Sequence, residues 1–118
     1  MPTTITGTEG VDKVKAGTEA QQVGVNQTWQ DVTLGRSLGV PYPNDTGKPI
    51  MVSVSKVGTA IPVSASMTID GIAGIGQNRT VDASGTSMVA NVTLVIPDGS
   101  TYLAPSGEGT LSSWFELR

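Results

Sequence analysis

Ile61-Pro62-Val63-Ser64-Ala65-Ser66-Met67-Thr68-Ile69 decides how this chain folds. Ile61, Val63, Ala65, Met67 and Ile69 alternate without a miss against Pro62, Ser64, Ser66 and Thr68. Successive side chains of a strand point to opposite faces, so this rhythm predicts a strand with one buried and one solvated side. The rhythm recurs on both sides of the segment. Ile50, Val52 and Val54 share one face of a strand over 50–57, and Met88, Ala90, Val92, Leu94 and Ile96 share another over 88–96. Opposite that last set stand Val89, Asn91, Thr93 and Val95, a half-apolar face that predicts a central strand or a subunit contact. Trp29 and Asp31 alternate with Gln30 and Val32 in a first strand. Thr101 to Leu103 and Leu111 to Leu117 close the chain, with Leu111, Phe115 and Leu117 in phase.

Turn-forming residues separate these segments: Pro41-Tyr42-Pro43-Asn44-Asp45-Thr46-Gly47 and Pro97-Asp98-Gly99-Ser100. The glycine-bearing stretch from Asp70 to Gly85 reads as a long loop or a loose hairpin. Short strands at about 8–12-residue spacing predict a compact antiparallel β-sandwich, jelly-roll-like, over residues 26–118. Residues 1–25, rich in Thr and Gly and without an aromatic, read as an extended N-terminal arm that attaches the domain to something else.

Composition narrows the function. The 118 residues have room for one domain. They include one Phe, two Tyr and two Trp, so the core is built mainly from aliphatic side chains. Seven basic residues against ten acidic ones leave a net charge of −3, and the basic residues form no cluster. Nucleic-acid binding needs clustered cations to displace counterions, so it is not expected. Cysteine and histidine are both absent. This removes disulfides, the commonest general base and the commonest metal ligands together. No catalytic, cofactor or metal site is expected. Met1-Pro2-Thr3-Thr4 opens without a basic start or an apolar run, which predicts synthesis in a cytoplasm without an export signal. The apolar run around Leu94-Val95-Ile96 is too short for membrane insertion.

Three motifs that could carry chemistry read better as structure. Asp45-Thr46-Gly47 has the Asp-Thr-Gly of aspartic proteases, but its neighbours Asn44 and Lys48 make a wet turn. Gly71-Ile72-Ala73-Gly74-Ile75-Gly76 has the glycine density of a phosphate loop without a following helix, and reads as a hairpin apex. Asn-x-Ser/Thr sequons at Asn26, Asn44, Asn78 and Asn91 have no role without a secretory route. Among the aromatics, Trp29 and Trp114 lie in strand phase and, with Phe115, are expected in the core or at a subunit interface. Tyr42, between two prolines, is the candidate exposed aromatic for a ligand.

Three stretches taken together resemble the C-terminal receptor-binding tip of tailed-bacteriophage tail fibres. The first is Asn26-Gln27-Thr28-Trp29-Gln30-Asp31-Val32-Thr33 with Arg36. The second is Tyr42 with Asn44-Asp45-Thr46-Gly47-Lys48-Pro49-Ile50-Met51-Val52-Ser53-Val54. The third runs from Val95-Ile96-Pro97-Asp98-Gly99-Ser100-Thr101-Tyr102 to Leu111 and Trp114-Phe115-Glu116-Leu117-Arg118. Ile5 to Val14 is similar to segments that join a fibre shaft to its tip. The resemblance implies a homotrimeric knob on the virion that binds a host-cell glycan or outer-membrane protein without catalysis, with residues 1–25 contacting other phage tail or virion proteins. The matched residues look structural. Receptor contacts are therefore expected in the unmatched segment from Gly58 to Met88, at Gln77, Asn78 and Arg79, and at Tyr42. The alternative is a structural virion protein, a capsid decoration or tail-assembly factor, docking through the arm.

Overall fold

The computed structural model describes residues 22–59, 62–80 and 88–118. Among these residues the strands are β1 (Trp29–Asp31), β2 (Tyr42–Pro43), β3 (Ile50–Gly58), β4 (Val63–Ile69), β5 (Ile72–Thr80), β6 (Met88–Ile96), β7 (Thr101–Leu103) and β8 (Thr110–Leu117). The helical element among them is one 3-10 turn, η1 (Thr33–Gly35). No helix among the described residues is long and apolar enough to cross a membrane.

Two antiparallel four-stranded sheets face each other, ordered β1-β8-β3-β6 and β2-β7-β4-β5. β1 pairs with β8, β2 with β7, β3 with β6 and β4 with β5. This is one long hairpin, its apex at Asp70-Gly71, rolled up so that alternate arms fall in opposite sheets. That is the winding of a jelly roll, as the spacing of short strands predicts. Thr28 and Arg118 exchange backbone hydrogen bonds of 3.1 and 3.2 Å and close the base of the hairpin. The chain leaves β2, β4 and β6 at that same pole, and leaves β1, β3, β5 and β7 at the other.

The inward set is the one that periodicity picks out. Ile50, Val52, Val54, Val63, Ala65, Met67, Met88, Ala90, Val92 and Ile96 are buried between the sheets with Tyr102, Ala104 and Trp114. Each fully buried Val or Ile contributes about 1.5–3 kcal/mol relative to leaving it exposed. Ile61 lies outside the described residues.

Three expectations need correction. Of the stretch read as a long loop or a loose hairpin, Ile72–Thr80 is a nine-residue strand in a hairpin with β4, and residues 81–85 lie outside the described residues. Gly74 and Gly76 take positive φ of 76° and 67°, and the β4–β5 register slips twice. These bulges let an irregular, mostly exposed strand stay paired without any period-two signal. The apex is the Asp70-Gly71 pair alone, with φ of 52° and 84°, the left-handed geometry of a tight hairpin. Secondly, β6 is an edge strand, not a central one, and its Val89 and Val95 face outward, 60% and 47% exposed.

Thirdly, Leu111, Phe115 and Leu117 do not share a buried face. The register against β3 jumps from Ser55↔Ser113 to Lys56↔Leu111, a bulge that shifts the phase and turns Trp114 and Glu116 inward. Residues 1–21 of the expected N-terminal arm lie outside the described residues; Lys48 Nζ donates to Val25 O (3.3 Å) and Gln27 Nε2 to Pro49 O (2.9 Å) at the base.

Candidate functional site

Glu116, turned inward by the bulge, is fully buried. Arg36 donates to both its oxygens, Nε to Oε2 at 3.1 Å and Nη2 to Oε1 at 3.0 Å. Tyr102 Oη (2.7 Å) and Trp114 Nε1 (3.0 Å) also donate to Oε2. Arg118 Nε lies 3.1 Å from Oε1, an ion-pair contact without hydrogen-bond alignment. Burial alone would push the Glu116 carboxyl up. The hydrogen bonds from Arg36 and Tyr102, the Arg36 charge and the Trp114 indole outweigh it and hold the carboxyl below its ordinary range. Burial, reinforced by the bond to Glu116, pushes Tyr102 up to about 12.

Tyr42 belongs to this cluster. It is half-buried, not an exposed loop aromatic: its ring meets Trp114 edge-on at 5.7 Å, lies 6.2 Å from Tyr102 and carries the Arg36 guanidinium 4.6 Å above it. Proline neighbours signal a turn, but the short pairing of β2 with β7 carries the ring inward. Its hydroxyl accepts from Ser37 N at 2.8 Å.

A second polar knot locks the base. Asn44 is fully buried. Its Nδ2 donates to the carbonyls of Lys48, Ile96 and Pro97 at 2.9–3.1 Å, and its Oδ1 accepts from the Thr46 hydroxyl at 2.8 Å. Asp45, next in sequence, is exposed in the expected wet turn. Asp70 accepts from the Ser100 hydroxyl (2.7 Å) and Thr101 N (2.9 Å), fastening the hairpin apex to the same end. Of the residues quoted for the resemblance, Arg36, Tyr42, Tyr102, Trp114 and Glu116 meet in one of these clusters and Asn44 and Thr46 in the other. Glu116, Arg36 and Asn44 were not predicted to be core. The signal was there, since a lone acid alternating in phase with a tryptophan needs a buried partner.

Gln77, Asn78 and Arg79 lie on β5, not on a loop. Asn78 Nδ2 donates to Asn91 O at 3.3 Å and Thr80 Oγ1 to Val89 O at 3.1 Å, so side chains of one edge strand cap the open carbonyls of the other. Arg79 pairs with Glu108 at 3.1 Å on the exposed surface.

Trp114 is core, whereas Trp29 and Phe115 are 52% and 38% exposed. Both stand on the outer face of the β1-β8-β3-β6 sheet. The register lines up Trp29, Leu117, Met51 and Val95 as an apolar row across all four strands. The next row is Asp31, Phe115, Ser53 and Thr93, and the third is Ser113, Ser55 and Asn91. Asp31 is the one charge in these rows. Beyond it the chain peels off β8 into η1 and leaves a hollow of about 440 Å³, lined by residues 31–35 and the Ser112-Ser113 pair at the bulge.

Comparison with protein-family models and with curated proteins finds no match for this chain.

Proposed function

We propose that this chain is a non-enzymatic recognition domain: the tip of a tailed-phage tail fibre, carried on the virion as a homotrimer, that binds a glycan or outer-membrane protein of the host cell. One observation carries the reading. The stretches that resemble fibre tips commit Arg36, Glu116, Tyr102, Trp114 and Asn44 to the interior, while their Trp29 and Phe115 stand outward on a sheet face with a single charge. Exposed aromatics on a rigid sheet suit recognition, because they offer large contact area with little entropy to lose. Jelly rolls carry lectin and capsid domains alike, so the fold alone leaves the choice to the surface. The Trp29–Leu117–Met51–Val95 row supplies the apolar strip for self-association. Glu116, the buried acid, is spent on four internal hydrogen bonds rather than poised for chemistry.

The test is direct. The purified chain should bind susceptible bacteria, block adsorption of the phage that carries it, and leave host polysaccharide at its original length. Absence of binding to every susceptible strain, with binding to phage particles instead, would make the chain a structural virion component.

A further inference from the structure

The geometry points to the hollow between η1 and the β8 bulge as a saccharide subsite that takes an uncharged pyranose. This rests on the recognition reading above and adds a place and a ligand class to it. At about 440 Å³ the hollow falls within the roughly 300–1,000 Å³ of small-molecule sites. Its polar wall is fixed in advance. Asp31 Oδ1 accepts from Thr33 N at 3.0 Å and from the Thr33 hydroxyl at 2.6 Å, and that hydroxyl in turn accepts from Trp114 N at 2.9 Å. Thr33 thereby takes over the strand ladder where β1 ends and clamps the carboxylate against β8. Both bonds land on Oδ1, so Oδ2 is the oxygen left to accept from sugar hydroxyls. Ser112 and Ser113 complete the lining.

Apolar surface comes from two exposed side chains, one in the lining and one beside it. Phe115 stands directly across from Asp31 in the register and one same-face step from Ser113, next to the hollow on the same sheet face but outside its lining. Leu34, fully exposed, forms part of the lining. An aromatic face beside a fixed acceptor and hydroxyls matches a pyranose, which has one apolar face and a rim of hydroxyls. Charge sets the class, since Asp31 repels an acidic sugar or a phosphate and none of the lining residues is a cation.

The experiment uses the full chain labelled with ¹⁵N. Methyl glycosides of glucose, galactose, mannose and rhamnose are titrated to millimolar levels, with N-acetylneuraminic acid as the charged probe. We expect at least one neutral glycoside to shift the amide signals of Thr33, Gly35, Ser112 and Ser113, and the acidic sugar to leave them unmoved. Asp31→Asn, which keeps the bond to Thr33, should weaken binding about tenfold, and Phe115→Leu, which keeps bulk without the ring, about fivefold. Shifts confined to Gln77–Arg79 overturn the subsite while sparing the recognition reading. So does unimpaired cell binding by both variants, or silence of all neutral probes while cells are still bound. Failure of the unaltered chain to bind cells, with saccharide shifts in the hollow, sinks the fibre reading and leaves the subsite standing.

Discussion

Arg36 and Glu116 are 80 positions apart in the chain, yet the guanidinium grips both carboxylate oxygens inside the sandwich, at 3.0 and 3.1 Å. The pair fastens the crossover after β1 to the last strand, and with Tyr102 it bridges the two sheets. Removing one partner strands the other. Glu116→Ala should cost about 3–5 kcal/mol, because a cation and two buried donors lose their acceptor. Glu116→Gln should cost less, about 1–3 kcal/mol, since one oxygen still accepts. Urea unfolding of both variants against the parent chain checks this, and equal stability of all three would contradict it.

The same cluster sets the response to pH. Glu116 has a folded pKa below its unfolded one, so its stabilisation is present above the ordinary glutamate value and is lost as pH falls through the lowered folded value. Tyr102 behaves in the opposite sense. Its hydroxyl is held neutral up to about 12, so stability declines from the unfolded value near 10 toward 12 as unfolded tyrosine ionises. Stability measured against pH should therefore fall at both extremes. Tyr102→Phe should flatten the alkaline limb and Glu116→Gln the acid limb.

Two glycines of β5 should answer differently to alanine. At Gly76 an added Cβ would sit 3.0 Å from both Val92 Cγ2 and Leu94 Cδ2, on top of a φ of +67°. At Gly74, with φ +76°, the space is open. Gly74→Ala should lose about 1 kcal/mol from backbone strain alone. Gly76→Ala should lose about 2–4 kcal/mol, because crowding of two core side chains adds to the strain. Thermal melts would show a clear ordering, and reversed values would mean that β5 lifts away from β6 at little cost.

Asn44→Asp replaces an amide that donates to three carbonyls with a carboxylate that repels them. It should cost about 3 kcal/mol or more, and more than Asn44→Ala. Chemical denaturation of the two variants separates them. An Asn44→Asp variant as stable as the parent chain would imply that the base opens and lets water in.

Trp29→Lys puts a charge at one end of the apolar row without touching the core, so monomer stability should hold within about 0.5 kcal/mol. If the row holds copies of the chain together, sedimentation should show the parent at threefold mass and the variant at onefold.

The legible parts of the fold were those in which one physical signal acts alone. β4 carries an uninterrupted two-residue rhythm, and β3 and β6 carry it along one face; the predicted residues on those faces are buried or partly buried, while Lys56, inward near the end of β3, breaks the rhythm. β5 was hidden because Gly74 and Gly76 break the rhythm while keeping the pairing. The inward phase of β8 was hidden because a bulge is invisible in a string of Leu, Ser, Ser, Trp and Phe. A buried acid runs against the burial rule that finds cores, so Glu116 looked like surface. The hollow was out of reach for another reason: its two walls, η1 and Ser112-Ser113, become neighbours only through the β1–β8 register.

The backbone bonds between Thr28 and Arg118 have a mechanical consequence. A tether joined at either of these residues emerges from one pole, so a particle or a sensor surface would present the same opposite end outward. Tension between the two residues themselves would open β1 from β8 one rung at a time. Tension from that pole to a ligand held at the other runs along the strands, and many rungs must then yield together.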